Sequence, residues 1–289
     1  MQRTGMPRRK TSNVSMLTVE RYEKTRQMPQ YEELEKYSQS FVENTREIMA
    51  DYEWSKDPFH AWSRGFEYTY VWNEISRRAR QRSAYIADLG GGVTFFPFFL
   101  NSKGHNVDVY DLNTHYLKKY HQISGLLKET VRFYPRSLDF MDKTRLYDYL
   151  ACISVIEHIP ISQYPDIVRG IFNMLRPGGA FFFTLDLYQH KGTNGVEAFL
   201  DELNHVFGSH MSIEFVHYDA NEHVTPRYVS DKYGCADRFS LSLRKMLFFL
   251  KNGRMPEKYP KINIVYGFVE KKPNRRRQRR RPPRPKQAE

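Results

Sequence analysis

The chain has 289 residues, of which 40% are hydrophobic, so it can bury a real core in one large α/β domain or two smaller ones. Its two cysteines, Cys152 and Cys235, exclude a disulfide framework and favour a reducing compartment. No apolar run approaches the roughly 20 residues that cross a bilayer, and the basic N-terminus lacks the apolar stretch of a signal peptide. We therefore expect a cytoplasmic protein without a transmembrane segment, or a nuclear one if the source is eukaryotic.

The formal net charge of +12 is concentrated at the two ends of the chain. Residues 271–289 carry +9 and residues 1–10 carry +4, so residues 11–270 are nearly neutral. We predict that residues 1–15 and the arginine- and proline-rich residues 271–289 are disordered. Such arms bind phosphate backbones without reading base sequence, so nucleic acid or an anionic surface is one candidate partner of residues 271–289. A solvated tail that only aids solubility is the alternative.

Residues 16–82 are predicted to form a helical, aromatic-rich cap. Residues 17–50 contain few helix breakers and predict one or two amphipathic helices. Rings then become unusually dense, at Tyr52, Trp54, Phe59, Trp62, Phe66, Tyr68, Tyr70 and Trp72. Rings at this density pack over a core or line a pocket for a flat or sugar-like ligand, and we favour packing.

Residues 83–270 are predicted to form an α/β domain that begins at a glycine turn. An apolar run from Tyr85 contains Asp88 and is followed by three glycines, Gly90 to Gly92, and a second apolar run. This pattern predicts a buried strand, a tight turn and the start of a helix. Because glycine adopts positive φ and lets a ligand touch the backbone, we predict that the turn cradles a nucleotide.

The next strand ends in an acid. A helix over residues 95–100 is followed by an alternating strand over residues 106–111, which closes with Asp111. A βαβ unit with an acid at the end of its second strand can hold a ribose diol, which fits a cofactor that carries adenosine. Polar residues follow the third strand, and one of Ser137, Asp139 and Asp142 is expected to reach the adenine.

Strands and helices continue to alternate after Asp111. We predict helices over residues 112–128, 164–175, 196–207 and 239–250, and strands over residues 131–134, 149–155, 180–186, 212–218 and 262–269. The alternation predicts an α/β fold with a mostly parallel sheet.

Three motifs in this order resemble the class I S-adenosylmethionine-dependent methyltransferases. They are Asp88-Leu89-Gly90-Gly91-Gly92 at the glycine turn, residues 153–159 at the end of the fourth strand, and the turn of residues 175–179 before the fifth. The resemblance covers roughly Tyr85 to Leu187, and Thr94 stands where the family has its third glycine. It implies a Rossmann-like, mostly parallel, seven-stranded sheet flanked by helices, with residues 262–269 as an antiparallel strand. The nicotinamide pattern fits less well, because Phe95 occupies the place of its last glycine.

The resemblance implies S-adenosylmethionine as the cofactor. It assigns the glycines to the amino-acid and ribose portion, Asp88 to the turn or the methionine ammonium, and Asp111 to the ribose hydroxyls. Residues 137–139 would meet the adenine, and Ser154 would line the sulfonium side. The complete predicted set is Asp88, Gly90, Gly91, Gly92, Asp111, Leu112, Ser137, Leu138, Asp139 and Ser154.

Methyl transfer from a sulfonium is an in-line displacement, in which the protein aligns the acceptor and takes its proton if the acceptor is a hydroxyl. The candidate bases are His158, Asp186 and His190, which follow the fourth and fifth strands, although a structural or surface role is the alternative for each. The histidines make no zinc pattern with the two cysteines, so no metal site is predicted.

We therefore predict methyl transfer to an oxygen or nitrogen of a small-molecule or carbohydrate-like acceptor. The carbohydrate acceptor rests on residues 92–97, which resemble a bacterial subgroup linked to surface-carbohydrate chemistry. The alternatives are an RNA or protein methyltransferase recruited by the basic tail, or a binding module that keeps the fold without catalysis. Residues 154–157 lack the Asn/Asp-Pro-Pro-Tyr/Phe signature of enzymes that methylate amino groups of DNA bases.

Overall fold

The computed structural model describes residues 14–16, 24–54, 57–60, 64–138, 145–188, 194–208, 211–218, 250 and 262–272. Its strands are β1 (Val14–Met16), β2 (Tyr85–Leu89), β3 (Asn106–Asp111), β4 (Val131–Pro135), β5 (Tyr147–Ile153), β6 (Leu175–Tyr188), β7 (Met211–Tyr218) and β8 (Ile262–Glu270). Its main helices are α1 (Pro29–Thr45), α2 (Arg64–Ala79), α3 (Phe95–Ser102), α4 (Tyr116–Leu127), α5 (Tyr164–Met174) and α6 (Asn194–Phe207). The predicted helix over residues 239–250 lies outside the described residues except for its last residue.

The strands form one sheet in the order β1-β7-β8-β6-β5-β2-β3-β4. β8 is antiparallel to both of its neighbours, and the other pairs are parallel. The predicted Rossmann-like class and the antiparallel last strand are therefore confirmed. The predicted count of seven strands is one too low for the described residues, because the three-residue β1 pairs with β7 at the end of the sheet.

β6 is longer than the predicted strand over residues 180–186, because it includes the motif of residues 175–179 that precedes that strand. The pairing with β5 shifts register between Tyr147 and Tyr149, and Gly178 has a φ of +86°. The Gly178 N–H donates to the Lys271 carbonyl at 2.7 Å, and the Lys271 N–H donates to the Gly179 carbonyl at 2.9 Å. The glycines thus form an irregular start of the strand that remains paired with the end of β8.

The two faces of the sheet are covered by different helices. Helices α1 to α4 pack on one face with Ile86, Val107 and Phe182. Helices α5 and α6 pack on the other face with neighbouring strand residues such as Ala87 and Phe181. Since α1 and α2 share a core cluster with β2 and β3, the cap is built into the core of the sheet. None of the described helices is long and apolar enough to cross a membrane.

The aromatic cluster of the cap packs in this core, which confirms the favoured interpretation. Five of its rings are buried, those of Tyr52, Phe59, Phe66, Tyr68 and Trp72. Tyr70 is half-buried and packs against the core, whereas Trp54 is 67% exposed. Trp62 lies outside the described residues.

A buried carboxylate, Asp108 in β3, lies on the face that carries α5 and α6. It is 0% exposed and accepts hydrogen bonds from Arg132 Nε at 2.6 Å and from the Tyr147 hydroxyl at 2.6 Å. Arg145 donates to its second oxygen, and the Tyr110 and Tyr147 hydroxyls lie 2.9 Å apart. This polar cluster ties β3, β4 and β5 together at the end of the sheet.

We expect Asp108→Ala to lower the free energy of unfolding by about 2–3 kcal/mol, because two arginines and a tyrosine lose their common acceptor. The arginines are partly exposed, which keeps the loss below that of a fully buried pair. Urea unfolding followed by circular dichroism measures the change. The control is Asp166→Ala, which breaks an exposed pair with Arg169 at 3.8 Å and is expected to cost less than about 1 kcal/mol. Equal losses in both variants would contradict this account of Asp108.

Candidate functional site

The glycine turn after β2 packs so closely against its neighbours that it has no room for side chains. Gly90 and Gly92 have φ values of +73° and +57°, which glycine adopts without strain. A Cβ atom on Gly90 would lie 2.5 Å from Val155 Cγ1, and one on Gly92 would lie 2.8 Å from the Tyr52 hydroxyl. The predicted turn is therefore present, and its form depends on glycine at both positions.

Asp111, the acid at the end of β3, is bound to this turn. Its Oδ2 accepts the Gly92 N–H at 3.0 Å, and its Oδ1 accepts the Asn113 N–H at 2.9 Å. The Gly90 N–H donates to the Tyr110 carbonyl at 2.7 Å, which joins the turn to β3 a second time. The βαβ unit thus brings Asp111 and the glycine turn into contact at the carboxyl ends of β2 and β3, the place where open α/β sheets bind ligands in a crevice. Contact with a ribose stays a prediction.

Asp88, at the end of β2, lies beside the turn and is 3% exposed. A Cβ atom on Gly91 would collide with its carboxylate. Burial raises the pKa of Asp88 to about 7, and the negative charge of Asp111 adds to the rise. A buried carboxyl group with a pKa near neutrality therefore lies directly beside the turn.

The cap contributes Tyr52 to the turn. Its hydroxyl oxygen accepts the Val93 N–H at 2.9 Å, while the Tyr120 hydroxyl donates to the Gly92 carbonyl at 2.9 Å. Both tyrosines are buried. In the sequence Tyr52 is one ring of an aromatic cluster, and no local signal distinguishes it from the other rings, since its partner Val93 is 41 residues away.

A buried polar network connects α2 to the ends of β5 and β6. The fully buried Glu67 accepts hydrogen bonds from the hydroxyls of Ser154 at 2.6 Å and Thr184 at 2.5 Å, and it pairs with Arg64 at 2.7 Å. Arg64 also donates to the Ser154 hydroxyl. The network holds Ser154 at a φ of +51°, next to the valine that contacts the glycine turn. Of its members, sequence analysis singled out only Ser154.

The other residues of the predicted cofactor set are described in part. Leu112 follows Asp111 directly and is 71% exposed. Ser137 is half-buried, and Leu138 packs in the core cluster of α5 and α6. Asp139 lies outside the described residues. The adenine-binding role of residues 137–139 stays a prediction.

Only one of the three predicted bases is described in full. His158 is exposed in a short 3-10 helix, Ile156–His158, that follows β5. Asp186 lies in β6 opposite Ile264, where only its backbone is described, and His190 lies outside the described residues. In the part of the chain that the structure describes, no group of three or more His, Cys, Asp or Glu residues could hold a metal ion.

Comparison with solved structures places this architecture among known folds. The [4+2]-cyclase SpnF is similar, with 13% sequence identity, a TM-score of 0.51, and coverage of 85% of this chain and 96% of that chain. Coclaurine N-methyltransferase bound to N-methylheliamine and S-adenosylhomocysteine has 12% sequence identity and a TM-score of 0.49. The match covers 88% of this chain and 91% of that chain. The N-methyltransferase NodS from Bradyrhizobium japonicum WM9 has 10% sequence identity and a TM-score of 0.45. The match covers 81% of this chain and 98% of that chain. No family model and no curated protein matches the chain.

The chain has a Rossmann-like fold, similar to that of SpnF. At these identities the likeness shows the fold alone. In an open, mostly parallel α/β sheet, ligands bind outside the carboxyl ends of the parallel strands, which is the edge where the turn, Asp111 and Ser154 lie.

The raised pKa of Asp88 predicts a pH-dependent stability. In the folded chain the pKa of Asp88 is about 7, above the value of 3.8 for a free side chain. At a pH between these two values, Asp88 is protonated in the folded state and ionised in the unfolded state. The stabilisation from this proton is complete below about pH 4 and is lost as the pH rises through 7.

We expect Asp88→Asn, which cannot ionise, to escape this loss. From pH 5 to pH 8 its free energy of unfolding should rise relative to that of the unmodified protein by about 2 kcal/mol. Urea unfolding at both pH values checks this, and Asp166→Asn serves as the control with no such change. A difference for Asp88→Asn that is the same at both pH values would show that Asp88 is ionised throughout.

Proposed function

We propose that this chain is an S-adenosylmethionine-dependent methyltransferase. The observation that carries the proposal is the hydrogen bond from the Gly92 N–H to Asp111 Oδ2, which joins a glycine turn and a strand-end acid in one crevice. The turn lets a cofactor approach the backbone, and a carboxylate in this place accepts hydrogen bonds from ribose hydroxyls. S-adenosylmethionine offers a ribose and an amino-acid portion to these two features.

The charges around the turn support a cationic cofactor. Asp88, Asp111 and Glu67 bring three carboxyl groups to this edge of the sheet, and the Arg64 guanidinium offsets one of them. A sulfonium or ammonium group is stabilised by the remaining carboxylates. A nearby cation also lowers the pKa of Asp88 and thereby favours its ionised form.

When bound, the cofactor supplies an electrophilic methyl group. The chain's part is to bind the acceptor in line with that methyl and to keep water away. We propose that Ser154, which Glu67 holds at the end of β5, lines the methyl side. A hydroxyl acceptor also needs a base, for which His158, Asp186 and His190 are the candidates.

We propose an oxygen or nitrogen of a small-molecule or carbohydrate-like compound as the acceptor. The buried Tyr52 brings the cap into contact with the glycine turn. A site that the cap borders in this way would suit a small acceptor better than the surface of a macromolecule.

Donor binding is the first test. We expect S-adenosylhomocysteine to bind the purified chain, and Asp111→Ala to weaken its affinity about tenfold or more, because hydrogen bonds from the ribose to a charged acceptor are lost. Asp111→Asn still accepts the Gly92 N–H, so its affinity should lie between those of the unmodified chain and Asp111→Ala. Isothermal titration calorimetry measures the affinities, with Asp166→Ala as the control. Unchanged affinity in Asp111→Ala would refute the assignment.

The basic tail favours a second function, methylation of an RNA or protein that the tail recruits. Residues 273–289 contain eight Lys or Arg residues and one acid, and this charge would attract a polyanion. The described Lys271 binds the Phe172 and Leu175 carbonyls at 2.8 Å, so a truncation should begin after Lys272.

Methyl transfer itself separates the two functions. The full chain and the chain ending at Lys272 are incubated with a radiolabelled methyl donor and with small-molecule, RNA or protein fractions at physiological salt. We expect label in the small-molecule fraction at equal rates for both chains, because the acceptor needs no tail. Label in RNA or protein that disappears with the tail would establish recruitment instead.

A further inference from the structure

Trp54 differs from the other rings of the aromatic cluster. It is 67% exposed, whereas its neighbour Tyr52 is 7% exposed and Trp72 is also 7% exposed. Trp72 uses its indole N–H on Glu33 inside the cap, so its ring has a structural role. Trp54 thus presents a large apolar ring to solvent, and such a ring gains free energy when a flat ligand covers it.

The segment that carries Trp54 is attached to the loop that follows Asp111. Glu53 Oε1 accepts a hydrogen bond from the Tyr116 hydroxyl at 2.7 Å and one from Asn113 Nδ2 at 3.5 Å. Asn113 in turn donates its N–H to Asp111 Oδ1 at 2.9 Å. Trp54 therefore directly follows Glu53, whose side chain is linked through Asn113 to Asp111, the residue predicted to bind the ribose.

The segment that precedes Trp54 is anchored to α4 through the buried Tyr116, whose hydroxyl donates to Glu53. Burial above all raises the pKa of Tyr116 to about 12, so this hydroxyl keeps its proton and remains the donor. Lys119, one turn further along α4, binds the Ile48 carbonyl at 2.9 Å and pairs with Asp51. These bonds hold the segment that leads to Trp54 against α4, so less backbone ordering has to accompany ligand binding.

We propose that Trp54 stacks on the adenine ring of the methyl donor. This inference rests on the proposed function, because a ribose bound by Asp111 places its base beside the loop of residues 111–116. Leu112 in the same loop is 71% exposed and adds apolar surface to this end of the crevice. A large, flat, exposed ring is the side chain that suits a purine face, and stacking of this kind needs no base-specific hydrogen bond.

Intrinsic fluorescence and calorimetry test the proposal on the full chain. We expect S-adenosylhomocysteine and adenosine to quench tryptophan emission, and Trp54→Phe to abolish the quenching while it keeps most of the affinity. Trp54→Ala should weaken S-adenosylhomocysteine about tenfold or more, because the stacking partner is lost. S-ribosylhomocysteine, which has no base, should bind both chains equally and quench neither.

The control variant is Leu126→Ala, which removes another exposed apolar side chain, 51% exposed in α4, and should bind like the unmodified protein. Circular dichroism confirms that each variant is folded. Wild-type affinity in Trp54→Ala, or quenching that persists in Trp54→Phe, would overturn the stacking proposal while S-adenosylhomocysteine still binds. If S-adenosylhomocysteine binds no variant and not the unmodified chain either, the proposed function fails and this inference fails with it.

Discussion

The hydrogen bond between Gly92 and Asp111 determines the shape of the candidate site, because it needs a turn without side chains. The space that Cβ atoms would occupy is filled from two directions, by Val155 after β5 and by Tyr52 of the cap. The turn, the strand-end acid, the loop after β5 and the cap therefore form one tightly packed unit. A side chain at Gly90 or Gly92 would displace the loop or the cap as well as strain the turn.

Much of the fold could be predicted from the sequence, because apolar strands and breaker residues are local signals. The errors occur where long-range pairing overrides such a signal. Pro177 followed by two glycines is typical of a free turn, yet Gly178 and Gly179 exchange hydrogen bonds with Lys271 and so stay in β6. β1 was missed because its three residues, Val14–Met16, follow a basic segment and are too few to show an alternation.

The candidate site divides in the same way. The turn, Asp88 and Asp111 could be found because they lie within one βαβ unit whose spacing is regular. Arg64 and Glu67 could not, because Glu67 meets Ser154 and Thr184 across 87 and 117 residues of chain. Glu67 stands among the aromatic residues of α2. Because a glutamate in a helix is usually exposed, the sequence does not show that Glu67 is buried. Only the fold shows that it is fully buried.

The residues of the βαβ unit and those of the cap contribute differently to the reaction. A fold does not determine the chemistry of a protein, and SpnF, a [4+2]-cyclase, has a fold similar to that of this chain. The turn and Asp111 belong to the sheet and suit a donor, whereas the groups that would face an acceptor come from the cap and the loop after β5. Ser154 is oriented by Arg64 and Glu67 of α2, and the Ser154 hydroxyl donates to a carboxylate that is already paired. Its oxygen is thus presented as a fixed acceptor of hydrogen bonds, which favours alignment of a nucleophile over its deprotonation. Acceptor choice should therefore follow changes in the cap, while donor binding follows the sheet.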